Sequence, residues 1–358
     1  MNNFDEYIRQ GEPYKKEKVY AWQTAIGMQA VDGLKPSEYL IETARQHIEG
    51  DITIDEVKEL IESYYQSEGI RVSDLDRTEE ADKASARITE ILSEKTFSFS
   101  PVEYINIHKR LFEGIYAHAG KIRDYNITKN EWVLKGETVL YASADNIRAT
   151  LDYDFEQEKK FNYQSLGLQE AINHITKFVS GLWQIHAFGE GNTRTTAVFT
   201  IKYLRTFGFN INNDTFASHS WYFRNALVRA NYNDILNGIY ATTEYIELFF
   251  RNLILGEKND LKNRYLLIGE RQESEVQSAT DTKNIFSKCN NCTLEEVAVL
   301  QCIKENPYTT QKEIAAHIGK SERSIKTITI NLRKQGFIER KNGRRNGFWE
   351  LKISDLQK

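Results

Sequence analysis

Proline is scarce in this chain, with four in 358 residues, and cysteine and methionine are scarcer still, at three and two. So few prolines leave helices uninterrupted. With 40% apolar, 27% charged and 12% aromatic residues, the composition is that of a folded and mostly helical protein rather than a disordered one. Cys289, Cys292 and Cys302 crowd near one end, which excludes an even disulfide framework. Cys289 and Cys292 have zinc-like spacing, but no second pair follows, and both read as solvent-facing linker thiols. No stretch approaches the roughly eighteen apolar residues of a membrane span, and MNNFDEYIRQGEPYKK lacks the apolar core of a signal peptide. A cytoplasmic protein with no membrane partner is expected.

A strong net charge is also missing, since the total is −4. Its distribution is uneven: from Thr293 onward thirteen Lys/Arg face eight Asp/Glu, a balance of +5 that leaves −9 for the body. The length allows two or three modules.

Residues 14–66 read as three short helices. The first ends at Gly33, the second runs from Pro36 to Gly50, and Thr53 with Glu56 forms a capping box for the third. Helices follow over ADKASARITEILSE and SPVEYINIHKRLFEGIY, the latter with Ser100, Pro101 and Glu103 at its start. EWVL and TVLYA on either side of Lys135-Gly136-Glu137 predict a short β-hairpin. Apolar residues at 168, 171, 172, 175, 178, 179, 182 and 185 predict a helix with one buried face, and a second apolar helix resumes at Val198. Helical patterning continues over 218–255; residues 256–292 read as a polar linker.

Between the two buried helices stands HAFGEGNTRTT, residues 186–196. A helical reading would put His186 and Glu190 on one face as metal ligands. Gly189 and Gly191 argue for a loop instead. A helix starting at Asn192 or Thr193 then aims unpaired N–H groups back at the loop, forming an anion nest. Arg194 supplies a cationic fork, Glu190 a hard oxygen for Mg²⁺, and His186 a base with a near-neutral pKa.

The order of these residues resembles the motif of the Fic family, commonly His-Pro-Phe-x-Asp/Glu-Gly-Asn-Gly-Arg-x-x-Arg. His186, Phe188, Glu190, Gly191, Asn192 and Arg194 stand in the matching places, and the resemblance covers roughly residues 80–255. It implies a Fic-type helical bundle with a β-hairpin flap. It also implies a protein adenylyltransferase that moves AMP from ATP to a Ser, Thr or Tyr hydroxyl of a target protein, itself included. His186 would be the general base and Glu190 the Mg²⁺ ligand. Gly191, Asn192, Thr193 and Arg194 would hold the phosphates, with Phe223 and Asn231 at the adenine. The flap residues Thr138, Val139, Leu140 and Tyr141 would align the target by strand addition.

Three positions depart from the pattern: Ala187 for proline, Thr193 for glycine, and Ala197 where the second arginine belongs. The N-terminal helices resemble the antitoxin-like module that restrains many Fic enzymes. This sets domains at 1–70 (degenerate inhibitory helix 21–33), 71–255, 256–292 and 293–358. Asp32 and Gly33 fall at the inhibitory Glu-Gly. In the family that glutamate pairs with the second arginine; with Ala197 the pair cannot form that way, and weak restraint is expected.

The last module reads as three helices and a hairpin around Asn342-Gly343, a winged helix-turn-helix. Arg323 and Lys326 on its third helix, with Arg344 and Arg345 at the wing, are the expected DNA contacts, and a homodimer would strengthen them. The alternative function is a DNA-binding regulator whose Fic domain senses a nucleotide without transferring it.

Overall fold

Capping chemistry sets the helix ends in the computed structural model, which describes residues 4–352 except 11, 68–76, 165, 210, 212–213, 270–291 and 343–346. Helix α1 spans Asp5–Gln10 and α2 spans Pro13–Met28, with proline in its first turn. A 3-10 turn over Gln29–Asp32 carries the chain to Gly33. Ser37 caps α3 (Glu38–Glu49) by accepting from Leu40 N at 3.0 Å. The expected capping box starts α4 (Ile54–Ser67), with Thr53 N donating to the Glu56 carboxylate at 2.7 Å. Helix α5 spans Thr78–Ser93, and Ser100 caps α6 (Pro101–Phe112) through Glu103 N at 3.1 Å.

The body continues with α7 (Ile147–Lys160), α8 (Leu168–Ile185), α9 (Asn192–Thr206), α10 (Thr215–Ala230) and α11 (Glu244–Leu255). All eight apolar positions expected on the inner face of α8 are buried. Helix α9 is buried all round from Asn192 to Leu204, so it is the axis of the bundle and fixes the loop that precedes it.

Helix α2 belongs to two cores. Val19 and Trp22 pack with Leu40, Ile41, Val57 and Ile61 in an N-terminal cluster, while Ala21, Ala25 and Met28 join the main core. Gly27 makes the second contact possible: a Cβ there would lie 2.4 Å from the Ala217 backbone, so only glycine lets α2 approach α10 this closely. The N-terminal helices are therefore fastened directly onto the main body.

The C-terminal module comprises α12 (Leu294–Glu305), α13 (Gln311–Ile318), α14 (Glu322–Lys334) and an antiparallel wing of β1 (Ile338–Lys341) on β2 (Phe348–Leu351). It packs on the body, with Ile318 against Gly208 beyond α9 and the Gln301 amide donating to the Ile254 carbonyl. On α14, Ile325, Ile328 and Leu332 face inward, and Arg323 and Lys326 are exposed.

Three expectations need correction. The segment 131–141 reverses direction but forms no strand ladder. Its first arm winds into a 3-10 turn, Trp132–Leu134, because Val133 and Leu134 bury consecutively instead of alternating. The described part of the presumed linker is packed: Leu261 and Leu266 are buried and Ile268 N donates to Val133 O at 2.9 Å. Cys292 is buried rather than solvent-facing, while Cys289 lies outside the described residues. Among the described residues, no helix is long and apolar enough to cross a membrane.

Burial also makes the N-terminal cluster pH-sensitive. Trp22 Nε1 donates to His47 Nδ1 at 3.0 Å, and burial, then nearby Lys18, pushes the imidazole down to about 4. The unfolded chain, with an ordinary histidine, takes up the proton first as pH falls, so this stability is complete above about pH 6.5 and is lost on the way down to pH 4. Between pH 7 and 5 the loss is on the order of 2 kcal/mol. Thermal melts at the two pH values should show a smaller drop for His47→Gln than for the native chain. An equal drop would remove His47 from the account.

Candidate active site

Helix α8 ends against an orphaned set of carbonyls, and Arg123 satisfies them. Its buried guanidinium donates Nε to His186 O at 2.7 Å and reaches the Ile185 and Ala142 carbonyls. A cation at this end also complements the helix dipole. His186 itself leaves the helix in the left-handed region, φ +50°, an uncommon conformation for a non-glycine residue. Its ring lies between Trp183 of α8 (5.2 Å, edge-on) and Tyr141 (4.2 Å). Burial, followed by the charge of Lys129, holds its pKa well below the ordinary value, so the imidazole is neutral near pH 7, with its proton-accepting form fully populated though weaker as a base than a free histidine.

The loop after His186 is closed from within. Asn192 Nδ2 donates to Phe188 O at 2.7 Å while its Oδ1 accepts from Phe188 N at 2.9 Å. Phe188 stacks on His108 at 3.7 Å. His108 Nδ1 accepts from Gly120 N, which leaves the proton on Nε2 to donate to Glu190 O at 3.0 Å. Burial first, with His118 and Arg194 adding, takes this imidazole down to about 3. Thr193 accepts from Trp183 Nε1 at 3.0 Å, so its hydroxyl ties α9 to α8.

Gly191 is the turn's conformational requirement. It sits at φ +76°, and a Cβ would come 2.3 Å from the Phe112 ring. Gly191→Ala combines left-handed strain of about 1–2 kcal/mol with overpacking of about 1–3 kcal/mol. A fall of several degrees in Tm is expected, against a smaller fall for Gly136→Ala, which has φ +96° but open space around it. Equal falls would mean that the Phe112 contact does not matter.

Arg194 departs from expectation. It has no exposed surface, and it pairs with Asp32 at 2.8 Å and Glu80 at 2.5 Å. Gln29 Oε1 accepts from it at 3.0 Å, Tyr116 lies at 3.2 Å, and its guanidinium lies 4.7 Å from the Phe112 ring centroid. The acid expected to lack a partner at position 197 has one three residues earlier. Ala197 itself is buried and apolar.

The remaining residues surround a layered cavity. An inner space of about 20 Å³ is lined by His186, Glu190, Gly191, Asn192 and Thr193, with Asp32, Lys129 and Arg224 completing its wall. That is room for about one water. An outer cavity of about 480 Å³ is lined by Asp32, Gly33, Arg77, Lys129, Trp221 and Arg224, among others. Asp32, Lys129, Glu190 and Arg224 border both, and Glu190 and Lys129 pair at 3.2 Å. Thr138–Tyr141 runs extended beside the site, with Val139 and Tyr141 buried and Leu140 outward at 84% exposure.

Two expected nucleoside contacts are not at the cavity. Phe223 is wholly buried between Phe216 and Phe249, at 5.0 and 4.9 Å, because its side of α10 faces α11. Asn231 spends its amide protons on Ser180 Oγ at 2.9 Å and Leu227 O at 2.9 Å, tying α10 to α8. Arg344 and Arg345 lie outside the described residues.

Sequence reasoning missed Lys129, Glu80, Arg123, His108 and Arg224. Most come from distant helices and loops and carry no local signal. Arg224 had one: it adjoins Phe223 in WYFRNALVRAN, and one helical step turns a side chain from core to cavity.

Residues 98–204 match the Fic/DOC family, and residues 296–339 match a winged helix-turn-helix described as DNA-binding. The protein adenylyltransferase VbhT of Bartonella schoenbuchensis is 26% identical over 214 residues, covering 56% of this chain. The chain spans 44% of that relative's length. A crystal structure of a Fic family protein from Desulfovibrio desulfuricans G20 is similar at 11% identity and a TM-score of 0.43, over 98% of this chain and 93% of that one. With α8, the 186–191 turn and most of α9 inside the matched segment, the chain carries a Fic/DOC domain at residues 98–204 and a winged helix-turn-helix module at residues 296–339.

Proposed function

We propose that the chain is a protein adenylyltransferase, moving AMP from ATP to a hydroxyl of a target protein. The observation that carries this is a neutral, buried His186 bordering the same small space as the glycine turn and the start of α9. A base, an anion nest and a carboxylate converge there, as acyl- or phosphoryl-group chemistry requires. The Fic/DOC match over residues 98–204 and the name of the relative, an adenylyltransferase, support the reading.

In this mechanism the hydroxyl oxygen attacks the α-phosphorus as His186 takes its proton. The new P–O bond forms in line with the bond to the bridging oxygen, which breaks and leaves with its electron pair as pyrophosphate. The N–H groups at the start of α9 stabilise charge on the phosphate oxygens. The extended Thr138–Tyr141 segment would hold the target backbone, by strand addition.

Glu190 would hold Mg²⁺. Its side chain is 47% exposed on the cavity and already attracts one cation, the Lys129 ammonium. Among the described residues, no group of three His, Cys, Asp or Glu could hold an ion by itself; a single carboxylate plus substrate phosphates is a common arrangement for Mg²⁺. When bound, the ion would neutralise phosphate charge.

Asp32 is the restraint. Its carboxylate lines the inner space and pairs with Arg194, so the chain's own anion stands where substrate anions must enter. Gly33 lets the chain turn away behind it. The winged helix adds a second partner, DNA, with Arg323 and Lys326 exposed on α14 to meet it.

Incubation with ATP labelled at the α- or the γ-phosphate tests the reaction class. Protein-bound label is expected from the α position alone. Label from the γ position would identify phosphoryl transfer and overturn the proposal.

A further inference from the structure

Position 197 offers no charge, and Arg194 is enclosed by Asp32, Glu80, Gln29 and Tyr116. A nucleotide entering past the glycine turn must have its outer phosphates met by other groups. Among the described residues, the cations lining the outer cavity are Arg77, Lys129 and Arg224. Arg77 is engaged with Glu80 through both Nε and Nη2, at 2.7 Å each, and with Tyr116 at 2.8 Å. Arg224 is placed differently.

Its guanidinium makes a forked pair with Glu131, at 2.6 and 3.1 Å, and lies 5.2 Å from the Trp221 ring centroid. Glu131 has no exposed surface and is also held by the Tyr141 hydroxyl at 3.1 Å. Two of the five guanidinium N–H donors are used in that fork, which leaves three. The buried acid and the indole face thus fix the plane of the arginine before any ligand arrives. Lys129 borders both spaces, and among the described residues its single carboxylate partner, Glu190, leaves two of its three ammonium donors unspent.

We propose that Arg224, seated on Glu131 and Trp221, forms with Lys129 the subsite for the terminal phosphates of a nucleoside triphosphate, taking the role that position 197 cannot fill. This rests on the nucleotide-transfer reading. The subsite comes from α10 and the segment before the flap, across the cavity from α9. It makes the chain select triphosphates over monophosphates by contacts outside the signature loop.

The test is calorimetric binding of a non-hydrolysable ATP analogue, ADP and AMP to the full chain in the Asp32→Ala background, so that the native carboxylate does not compete. Arg224→Gln alone would strand a buried acid, so Glu131→Gln is made with it, and a thermal melt checks the fold. Removing the pair should weaken triphosphate binding at least tenfold while AMP binding stays within about twofold; Lys129→Gln should shift the same ratio less. Equal loss for all three nucleotides would assign Arg224 a structural role, and unchanged triphosphate affinity, or none to begin with, would overturn the subsite. Label transfer is measured separately: selective triphosphate binding without transfer would sink the reaction and keep the subsite. Transfer with an unaltered KM for ATP in the double variant would do the reverse.

Discussion

Asp32→Ala should increase nucleotide affinity and label transfer by ten- to a hundredfold. A hydrogen bond to a charged group contributes roughly 1.5–3 kcal/mol, and the Asp32 carboxylate spends one on Arg194 at 2.8 Å while lining the inner space. Removing it does not leave a bare buried cation, because Glu80 still pairs with Arg194 at 2.5 Å. The fold should therefore survive, with Tm lowered by several degrees through loss of that one bond. Calorimetry with a non-hydrolysable ATP analogue reads the affinity directly. An unchanged affinity would mean that Asp32 is only a structural partner of Arg194. This prediction is stronger than the one the sequence supports, where Ala197 implies a slack restraint. The contact has moved to the arginine nearest the loop.

His186→Ala should lower transfer by about a hundred- to ten-thousandfold, the usual worth of a positioned general base. Nucleotide binding should change little, since the proposed phosphate contacts are the glycine turn and the cavity cations rather than the imidazole. The native pH profile carries the same signature. Because burial holds the histidine's pKa well down, the base form is already complete at pH 7, and activity should stay level as pH falls toward the ordinary histidine value. A half-loss of activity near pH 6.5 would contradict that placement.

What could be read in the sequence followed local rules. The capping box of Thr53 and Glu56, the apolar stripe of α8, and the glycine-punctuated loop are one-segment signals, and each has its counterpart in the structure. The winged helix follows from three short helices and a turn. What failed depended on neighbours. EWVL has strand-forming residues, but Val133 and Leu134 are both drawn into the core and the chain winds instead. Phe223 and Arg224 are adjacent, and only the packing of α10 on α11 decides which faces the cavity. The partners of Arg194 come from residues 29, 32, 80 and 116, contacts that no window along the chain contains.

The most direct measurement is the intact mass of the proteins present, the chain included, after incubation of the Asp32→Ala variant with ATP and Mg²⁺. The account predicts a gain equal to one nucleoside monophosphate on the chain or on an added target protein, and no gain when His186→Ala is combined with it. A gain of phosphate alone, or a nucleotide adduct that persists without His186, would contradict it.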